Sequence, residues 1–465
     1  MEEIQLLPFR FRLLRTVSRL MIAIRTPMNS GVASTVNKVS QVLVLRSSGA
    51  ALALASGVVM TRLFGAASTG TYFLALVFVG VGTTLGRLGT DLPTMKLVAA
   101  AADDSDWSLA RGIVRKASWL VFTTSGLLTA VLMVGAPIGN HFFLDVSLPT
   151  MIRLTGTAIV PSALLTLRVR ALTAVGQPRM AEFLQRAGFQ MAFIALIFAL
   201  FGWLGVFALG TAFSVACWVL FAVSQWQWSR AVSSDASTTR IKTGSLLRPG
   251  LPLLLASSIW LVIGWTDTLM IGYFMTPSDV GVYGAAIRSS ATLVFVLVAA
   301  ESVVGPRFAT LYANGEIADL SRLTRRTAQM TGLMGLPLLV LFVAAARPIM
   351  GLFGPEFTRG SATLTILSIG QFFNAATGVV AMLLAMSGHE RRLFQSTGVS
   401  AICNVVLDIL LIPRIGIEGA AIASAFSLIV INTLYVIFVR RDLGISVITD
   451  PTKRLRSRVR NRGKR

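Results

Sequence analysis

The stretch GVYGAAIRSSATLVFVLVAAESVVGPRF, residues 281–308, is apolar and longer than the roughly 20 residues that a helix needs to cross a lipid bilayer. It nevertheless carries Arg288 near one end and Glu301 near the other. A charged side chain at the bilayer centre costs about 2.5–3.5 kcal/mol on insertion scales, so it usually faces protein or a water-filled cavity. The stretch therefore predicts a membrane-spanning helix whose charged positions are sheltered from lipid.

The composition extends this prediction to the whole chain of 465 residues. Hydrophobic residues make up 54% and charged residues 13%, and the mean hydropathy is +0.73, which is typical of a membrane protein. We predict an all-α polytopic fold with twelve transmembrane helices. The predicted spans are 42–64, 70–91, 116–136, 151–175, 181–201, 204–226, 251–274, 281–305, 327–346, 361–387, 393–413 and 417–439.

The net charge of +22 is explained by where the basic residues lie. With the amino terminus in the cytoplasm, most Lys and Arg fall in the inner segments, whereas the outer loops hold Arg347, Arg359 and Arg414. This asymmetry follows the positive-inside rule and predicts that both termini are cytoplasmic. The basic carboxyl-terminal tail is then attracted to anionic lipid headgroups, so membrane lipids are the expected partners and nucleic acid is not.

Motifs for catalysis, metal binding and cofactor binding are missing from the sequence. Cys217 and Cys403 lie singly in two spans, and the chain has two histidines, so we predict neither a disulfide framework nor a metal centre. The sequence contains no phosphate-binding loop and no arrangement typical of a hydrolase. We therefore predict no cofactor, no direct use of ATP and no enzymatic activity.

Short motifs recur in the same order in the two halves of the chain. GTY at 70–72 matches GVY at 281–283, LTAVGQPR at 172–179 matches LAMSGHER at 384–391, and AFS occurs at both 212–214 and 425–427. Because each half holds six predicted spans, the halves enter the membrane from the same side and form parallel repeats, two lobes around a central cavity.

The domain organisation follows from these repeats. A basic amphipathic extension precedes the first lobe, a polar cytoplasmic linker joins the lobes, and a basic tail ends the chain. The predicted boundaries are 1–41 for the extension, 42–226 for the first lobe, 227–250 for the linker, 251–440 for the second lobe and 441–465 for the tail.

Three arginines inside the spans are candidate substrate-binding residues. Arg288 lies about 10 Å from the outer end of its helix, and Asp267 lies at a similar depth in the preceding span. A structural ion pair between the two and a substrate role for Arg288 are equally open interpretations. Arg46 and Arg87 lie near the inner ends of spans 1 and 2, where each could extend to the interface or line a groove.

Three acidic residues in the spans are candidates for ion coupling or for structural pairing. They are Asp267, Glu301 and Asp408. Glu301 and Arg288 are separated by about 220° around a helix, so they do not share one face.

Several segments resemble the Wzx-type polysaccharide flippases of the multidrug, oligosaccharidyl-lipid and polysaccharide exporter superfamily. The resemblance covers about residues 40–445 and is carried by RLFGAASTGTYFLALVF, PRFATLYANGEIADLSRL, LFGPEF, SGHERR and LLIPRIGIEGAAIASAFSLI. It implies two six-helix lobes that alternately expose a cavity. The implied partner is an undecaprenyl-diphosphate-linked oligosaccharide, carried across a bacterial inner membrane for exopolysaccharide, O-antigen or capsule synthesis, with polymerase or export machinery as further partners.

The resemblance also bears on the arginines. Related lipid II flippases carry arginines in helices 1, 2 and 8 along their cavity, and Arg46, Arg87 and Arg288 occupy similar positions. Guanidinium groups form bidentate hydrogen bonds with phosphate oxygens, which explains their use for a diphosphate. The usual basic residue near the end of helix 2 corresponds more closely to Lys96. The chain lacks the two extra helices of lipid II flippases.

Three other functions remain open from the sequence. An organic-cation or multidrug antiporter on the same frame requires an acidic cavity, whereas basic residues outnumber acidic ones in these spans. A polytopic glycan polymerase usually has a large outer loop, and the predicted outer loops are short. A non-transporting scaffold would not need the arginines.

Overall fold

The computed structural model describes residues 30–447 apart from 138–142, 144, 146, 233–238 and 240. Within those residues the chain is helical and contains no strand. The predicted extension at 1–29 and the tail from 448 onward lie outside the described residues. The all-α polytopic fold expected from the composition is confirmed.

The first half of the chain begins with one long helix that bends at a glycine. Gly65 has φ 73° and ψ 175°, a conformation that side chains with a Cβ rarely adopt, and it separates an arm ending at Phe64 from an arm beginning at Ala66. Helix starts also have local causes: Asp106 accepts a hydrogen bond from the Leu109 amide, which holds the pKa of Asp106 below its usual value. The helices are α1 (Ser30–Gly86), α2 (Asp91–Asp103), α3 (Trp107–Gly135), α4 (Leu148–Gly156), α5 (Ile159–Ala174), α6 (Pro178–Gln185), α7 (Ala187–Leu204) and α8 (Ala208–Ala231).

The second half repeats the use of broken helices. The Thr276 hydroxyl and the Asp279 carboxylate cap each other's backbone amides at the start of one helix, with Pro277 as its first residue. A 3₁₀ turn at Ala291–Leu293 then continues that helix into the next. The helices are α9 (Gly244–Phe274), α10 (Pro277–Ser290), α11 (Val294–Ala313), α12 (Ile317–Ala344), α13 (Ala346–Gly351), α14 (Ser361–Thr377), α15 (Val380–Met386), α16 (Glu390–Ile415) and α17 (Ile417–Asp442).

Each predicted span overlaps a helical segment, although the boundaries differ. By length and composition, the described residues hold 9 helical stretches able to cross a membrane, or up to 10 if a bent pair is one span. Two of them, Ser48–Gly86 and Pro178–Ala231, each cover two predicted spans. Helix α1 starts at Ser30, earlier than the expected 42, and α8 and α9 shorten the expected linker to the residues between Ala231 and Gly244. The count of twelve spans and the two-fold repeat stay predictions.

Buried apolar residues form three clusters that reveal how the halves meet. One cluster holds residues of both halves, including Met60, Tyr72, Ile271 and Phe357, and its members lie near the predicted outer ends of their spans. The other two clusters, at residues 98–246 and 297–447, each consist largely of one half's inner ends. Near the predicted outer ends the two halves therefore share one apolar cluster. Near the predicted inner ends each half is packed largely around its own cluster, and the halves meet there through the close approach of Gly89 to Gly250.

Candidate functional site

A cavity of about 410 Å³ lies between the two halves. Both arms of α1 contribute to its wall, so the chain folds back at Gly65, and helices α6, α7, α8, α10 and α11 supply the rest. Small residues at Gly49, Ala50, Ala53 and Gly57 leave room on the first arm. No carboxylate is among the described residues that line the cavity, whose charged lining residues are Arg186 and Arg288.

Arg288 lies at the end of α10 and reaches toward the first half of the chain. Its guanidinium carbon is 3.6 Å from the centre of the Phe73 ring, and its Nη1 donates a hydrogen bond of 3.0 Å to the Gly284 carbonyl of its own helix. Among the described residues it has no ion-pair partner. The remaining guanidinium donors are available to a ligand in the cavity.

The expected alternative of an ion pair between Arg288 and Asp267 is not formed. Asp267 instead accepts hydrogen bonds from Tyr283, Ser424 and Asn404, the last at 3.1 Å. Tyr283 and Arg288 are rotated by about 140° on one helix, so the tyrosine faces Asp267 while the arginine faces the other half of the chain. Helix geometry, not depth in the membrane, separates the two charges.

Asp408 completes a buried polar group with Asp267 in the second half. It is fully buried, its carboxyl group lies beside that of Asp267, and neither of its oxygens accepts a hydrogen bond. The Asn404 side-chain oxygen, one helical turn away on α16, also lacks a donor. Sequence reasoning found both aspartates but missed Asn404 and Ser424; an Asn and an Asp four residues apart in an apolar span were the available signal.

Arg46 lies beyond the inner end of the cavity wall and is paired with an acid that sequence reasoning missed. Its Nη2 is 2.6 Å from Oε1 of Glu182, and the second oxygen of that carboxylate accepts a 3.0 Å hydrogen bond from Arg186. Arg186 itself lines the cavity. The two arginines and Glu182 thus form one charged cluster, and no periodic pattern in the sequence predicted that α6 would bring Glu182 to Arg46.

Arg87 and Glu301 lie away from the cavity. Arg87 is 3.4 Å from Asp91 one turn later on the chain, and Arg170 approaches the same carboxylate at 3.8 Å. Glu301 is partly buried on α11 and has no hydrogen-bond or ion-pair partner among the residues that the structure describes. Of the three arginines singled out by sequence, the structure brings Arg288 to the cavity wall, Arg46 to its inner margin and Arg87 to a separate ionic cluster.

The outer end of the cavity is closed by direct contacts between the halves. Arg62 donates to the carbonyls of Leu352 and Gly351 at 2.8 and 3.0 Å, and Glu356 accepts from the Ala66 amide at 2.6 Å. A Cβ at Gly281 would lie 2.1 Å from the Ala66 carbonyl oxygen, so only glycine permits this approach. These contacts close the cavity at the predicted outer end of the spans.

Comparison with known proteins gives a family and a fold. The profile of a family described as polysaccharide biosynthesis protein matches residues 59–362. The probable flippase AglR of Haloferax volcanii is 28% identical over 190 residues, 40% of this chain and 39% of the relative. The chain thus spans well under two thirds of the length of that relative.

Two solved transporters have a similar arrangement of helices. A multidrug resistance MATE family transporter of the MOP superfamily, in its inward-facing conformation, superposes with a TM-score of 0.71 at 14% identity, covering 84% of this chain and 94% of that one. The lipid II flippase MurJ, in an inward closed conformation, gives 0.69 at 13% identity, covering 85% and 87%. The TM-scores establish that the chain shares the fold of these multi-pass helical membrane proteins.

Proposed function

The chain belongs to the polysaccharide biosynthesis protein family, and from this we propose that it is a flippase for lipid-linked oligosaccharides in glycan biosynthesis. The substrate that we propose is an undecaprenyl-diphosphate-linked oligosaccharide unit of an exopolysaccharide, O-antigen or capsule. The similarity of the chain to AglR, which is described as a probable flippase, supports this activity. The chain then acts as a transporter without a catalytic residue.

The observation that carries the proposal is Arg288 in a shared cavity. A guanidinium group within the membrane-spanning part of a protein is sheltered from lipid, where it faces a polar partner, an anion or a water-filled cavity. Arg288 has a carbonyl and an aromatic ring, but no carboxylate, among the described residues. A diphosphate supplies the missing anion, and the planar guanidinium matches its oxygens.

Arg46 and Arg186 support substrate entry from the inner side. Both share Glu182, which leaves an excess of positive charge at the inner margin of the cavity. A diphosphate headgroup that approaches this margin can replace Glu182 as a partner of Arg46 or Arg186. It can then move on to Arg288. The seal made by Arg62 and Glu356 keeps the outer side closed at this stage.

We propose that Asp267 and Asp408 hold a coupling cation, a proton or a sodium ion. Buried charges are normally paired or bound to a cation, and the oxygens of Asp408 and Asn404 are buried acceptors without donors. A monovalent cation fits this set of oxygens and would neutralise one carboxylate. Ion binding and substrate binding would then shift the same conformational equilibrium between the two lobes.

The cellular setting is also proposed. We place the chain in a bacterial inner membrane with both termini in the cytoplasm, where polymerase or export machinery would use the translocated unit. Phosphate-binding arginines on the inner side are consistent with a substrate assembled in the cytoplasmic leaflet.

Reconstitution tests the function directly. Purified protein in liposomes should move a defined diphosphate-linked oligosaccharide to the opposite leaflet, measured by its accessibility to an added glycosidase, with and without proton or sodium gradients. Empty liposomes and the same lipid lacking its diphosphate are the controls. Transport of organic cations without movement of the glycolipid would favour the antiporter and reject the flippase.

A further inference from the structure

A second cavity, of about 510 Å³, lies on the first half of the chain and shares no lining residue with the central one. It is formed by the inner ends of α3, α5 and α8. Its wall combines basic side chains with aromatic and aliphatic ones. The proposed transport function makes no use of it.

The feature that marks this cavity is Arg168 on α5. The residue is only 8% exposed, and its Nε and Nη1 atoms are buried without any hydrogen-bond partner. The guanidinium carbon lies 5.9 Å from the ring centre of Trp228. A buried guanidinium without an acid is costly, so an anion in the cavity would satisfy it.

Further positive charge surrounds the opening. Arg111 lines the cavity and donates from Nη2 to the Val232 carbonyl at 2.7 Å, and Arg115 lines it from an exposed position one turn along α3. No carboxylate is among the described residues that line the cavity. The cavity therefore combines the unpartnered guanidinium of Arg168 with the exposed positive charge of Arg115.

The surroundings indicate that this anion belongs to a lipid. Trp119 and Phe122, which also line the cavity, are 65% and 52% exposed on a helix that crosses the membrane, so the opening faces hydrocarbon. Arg168 lies about 9 Å from the inner end of α5, close to the depth of lipid headgroups. Basic pockets between helices on the cytoplasmic side bind anionic headgroups, and tryptophans are common at that interface.

We propose that this cavity binds the phosphate headgroup of an anionic phospholipid of the inner leaflet, with Arg168 as the buried anchor and Arg115 at the opening. The acyl chains then lie along the exposed aromatic face of α3. Binding of this lipid is separate from translocation of the oligosaccharide, so the two proposals stand or fall independently.

Native mass spectrometry of the full chain tests the proposal with phosphatidylglycerol and phosphatidylcholine as probes. The wild-type protein should retain phosphatidylglycerol in preference to phosphatidylcholine. Arg168→Gln should weaken the affinity for phosphatidylglycerol about tenfold, the effect of losing a charge-assisted hydrogen bond. Arg230→Gln is the matched control, because Arg230 is an exposed arginine near the end of α8 that stacks on Trp226 outside the cavity.

Two further experiments make the outcome decisive. Arg115→Gln changes an exposed residue, and it should lower phosphatidylglycerol binding severalfold even if Arg168→Gln fails to fold. Millimolar inorganic phosphate should not displace the lipid. Equal retention of both lipids, equal effects of Arg115→Gln and Arg230→Gln, displacement by phosphate, or selective retention of a diphosphate-linked glycolipid instead would each overturn the proposal.

Discussion

Replacement of Arg288 by lysine separates the charge of this residue from its shape. In the structure the guanidinium donates one hydrogen bond to the Gly284 carbonyl and lies on the Phe73 ring. Its other donors have no partner among the described residues. Lysine keeps the positive charge but cannot form two parallel hydrogen bonds with a phosphate. Losing one charge-assisted hydrogen bond costs about 1.5–3 kcal/mol, so Arg288→Lys should weaken binding of the diphosphate by about 10- to 150-fold.

Arg288→Ala should remove both hydrogen bonds to the phosphate, which costs on the order of 3–6 kcal/mol of binding free energy. Binding and translocation should therefore fall more than a hundredfold. Expression and thermal stability should change little, since Arg288 has no buried ion pair to break. The measurements are equilibrium binding of a diphosphate-linked oligosaccharide and its initial rate of translocation in liposomes. Arg414→Ala is the control, because Arg414 also donates to the carbonyl four residues earlier but lies at an exposed helix end.

The relative binding and transport activities of the wild type, Arg288→Lys and Arg288→Ala decide the interpretation. Wild-type binding by Arg288→Ala in folded protein would refute the role assigned to this arginine and leave it as a packing residue on Phe73. Equal activity of arginine and lysine would keep the charge but reject bidentate recognition.

Three further predictions concern coupling and closure. Asp408→Asn should abolish any proton or sodium dependence of translocation without lowering the melting temperature, because no donor is lost from the Asp408 oxygens; persistence of ion dependence would exclude Asp408 from the site. Arg62→Ala should lose two interlobe hydrogen bonds, about 1 kcal/mol each, and increase labelling of an introduced outer cysteine by an impermeant thiol reagent; unchanged labelling would mean that Arg62 does not seal the outer end. Gly281→Ala should open that end further because its Cβ would clash with the Ala66 carbonyl, whereas Gly264→Ala, with open space around it, should behave like the wild type in the same labelling assay.

The fold could be predicted because the hydrophobic effect acts locally along the chain. Each predicted apolar stretch, including 281–305 with its two charges, overlaps a helix in the structure. The boundaries were less predictable. Helix α1 extends back to Ser30 through polar residues, and the break at Gly65 depends on a backbone angle that the composition does not reveal.

The candidate site was only partly predictable, because a sequence specifies which charges lie in the membrane but not what they face. Arg288, Asp267 and Asp408 stood out as charges in apolar spans. Their partners did not, since Ser424 is distant in sequence from Asp267, and Glu182 lies on another helix from Arg46. Arg168 was missed because a single arginine near a helix end usually extends to water.

By itself, the sequence determined that this chain is a bundle of membrane-spanning helices with a few charges inside the spans, and it predicts that the basic residues lie mostly on one side. Those properties depend on transfer free energies of individual segments, which are local. The tertiary structure alone decided which of the charges are paired, which of them line the shared cavity, and which contacts join the two halves. Pairing and closure depend on contacts between residues far apart in the chain, and such contacts exist only after the helices have packed.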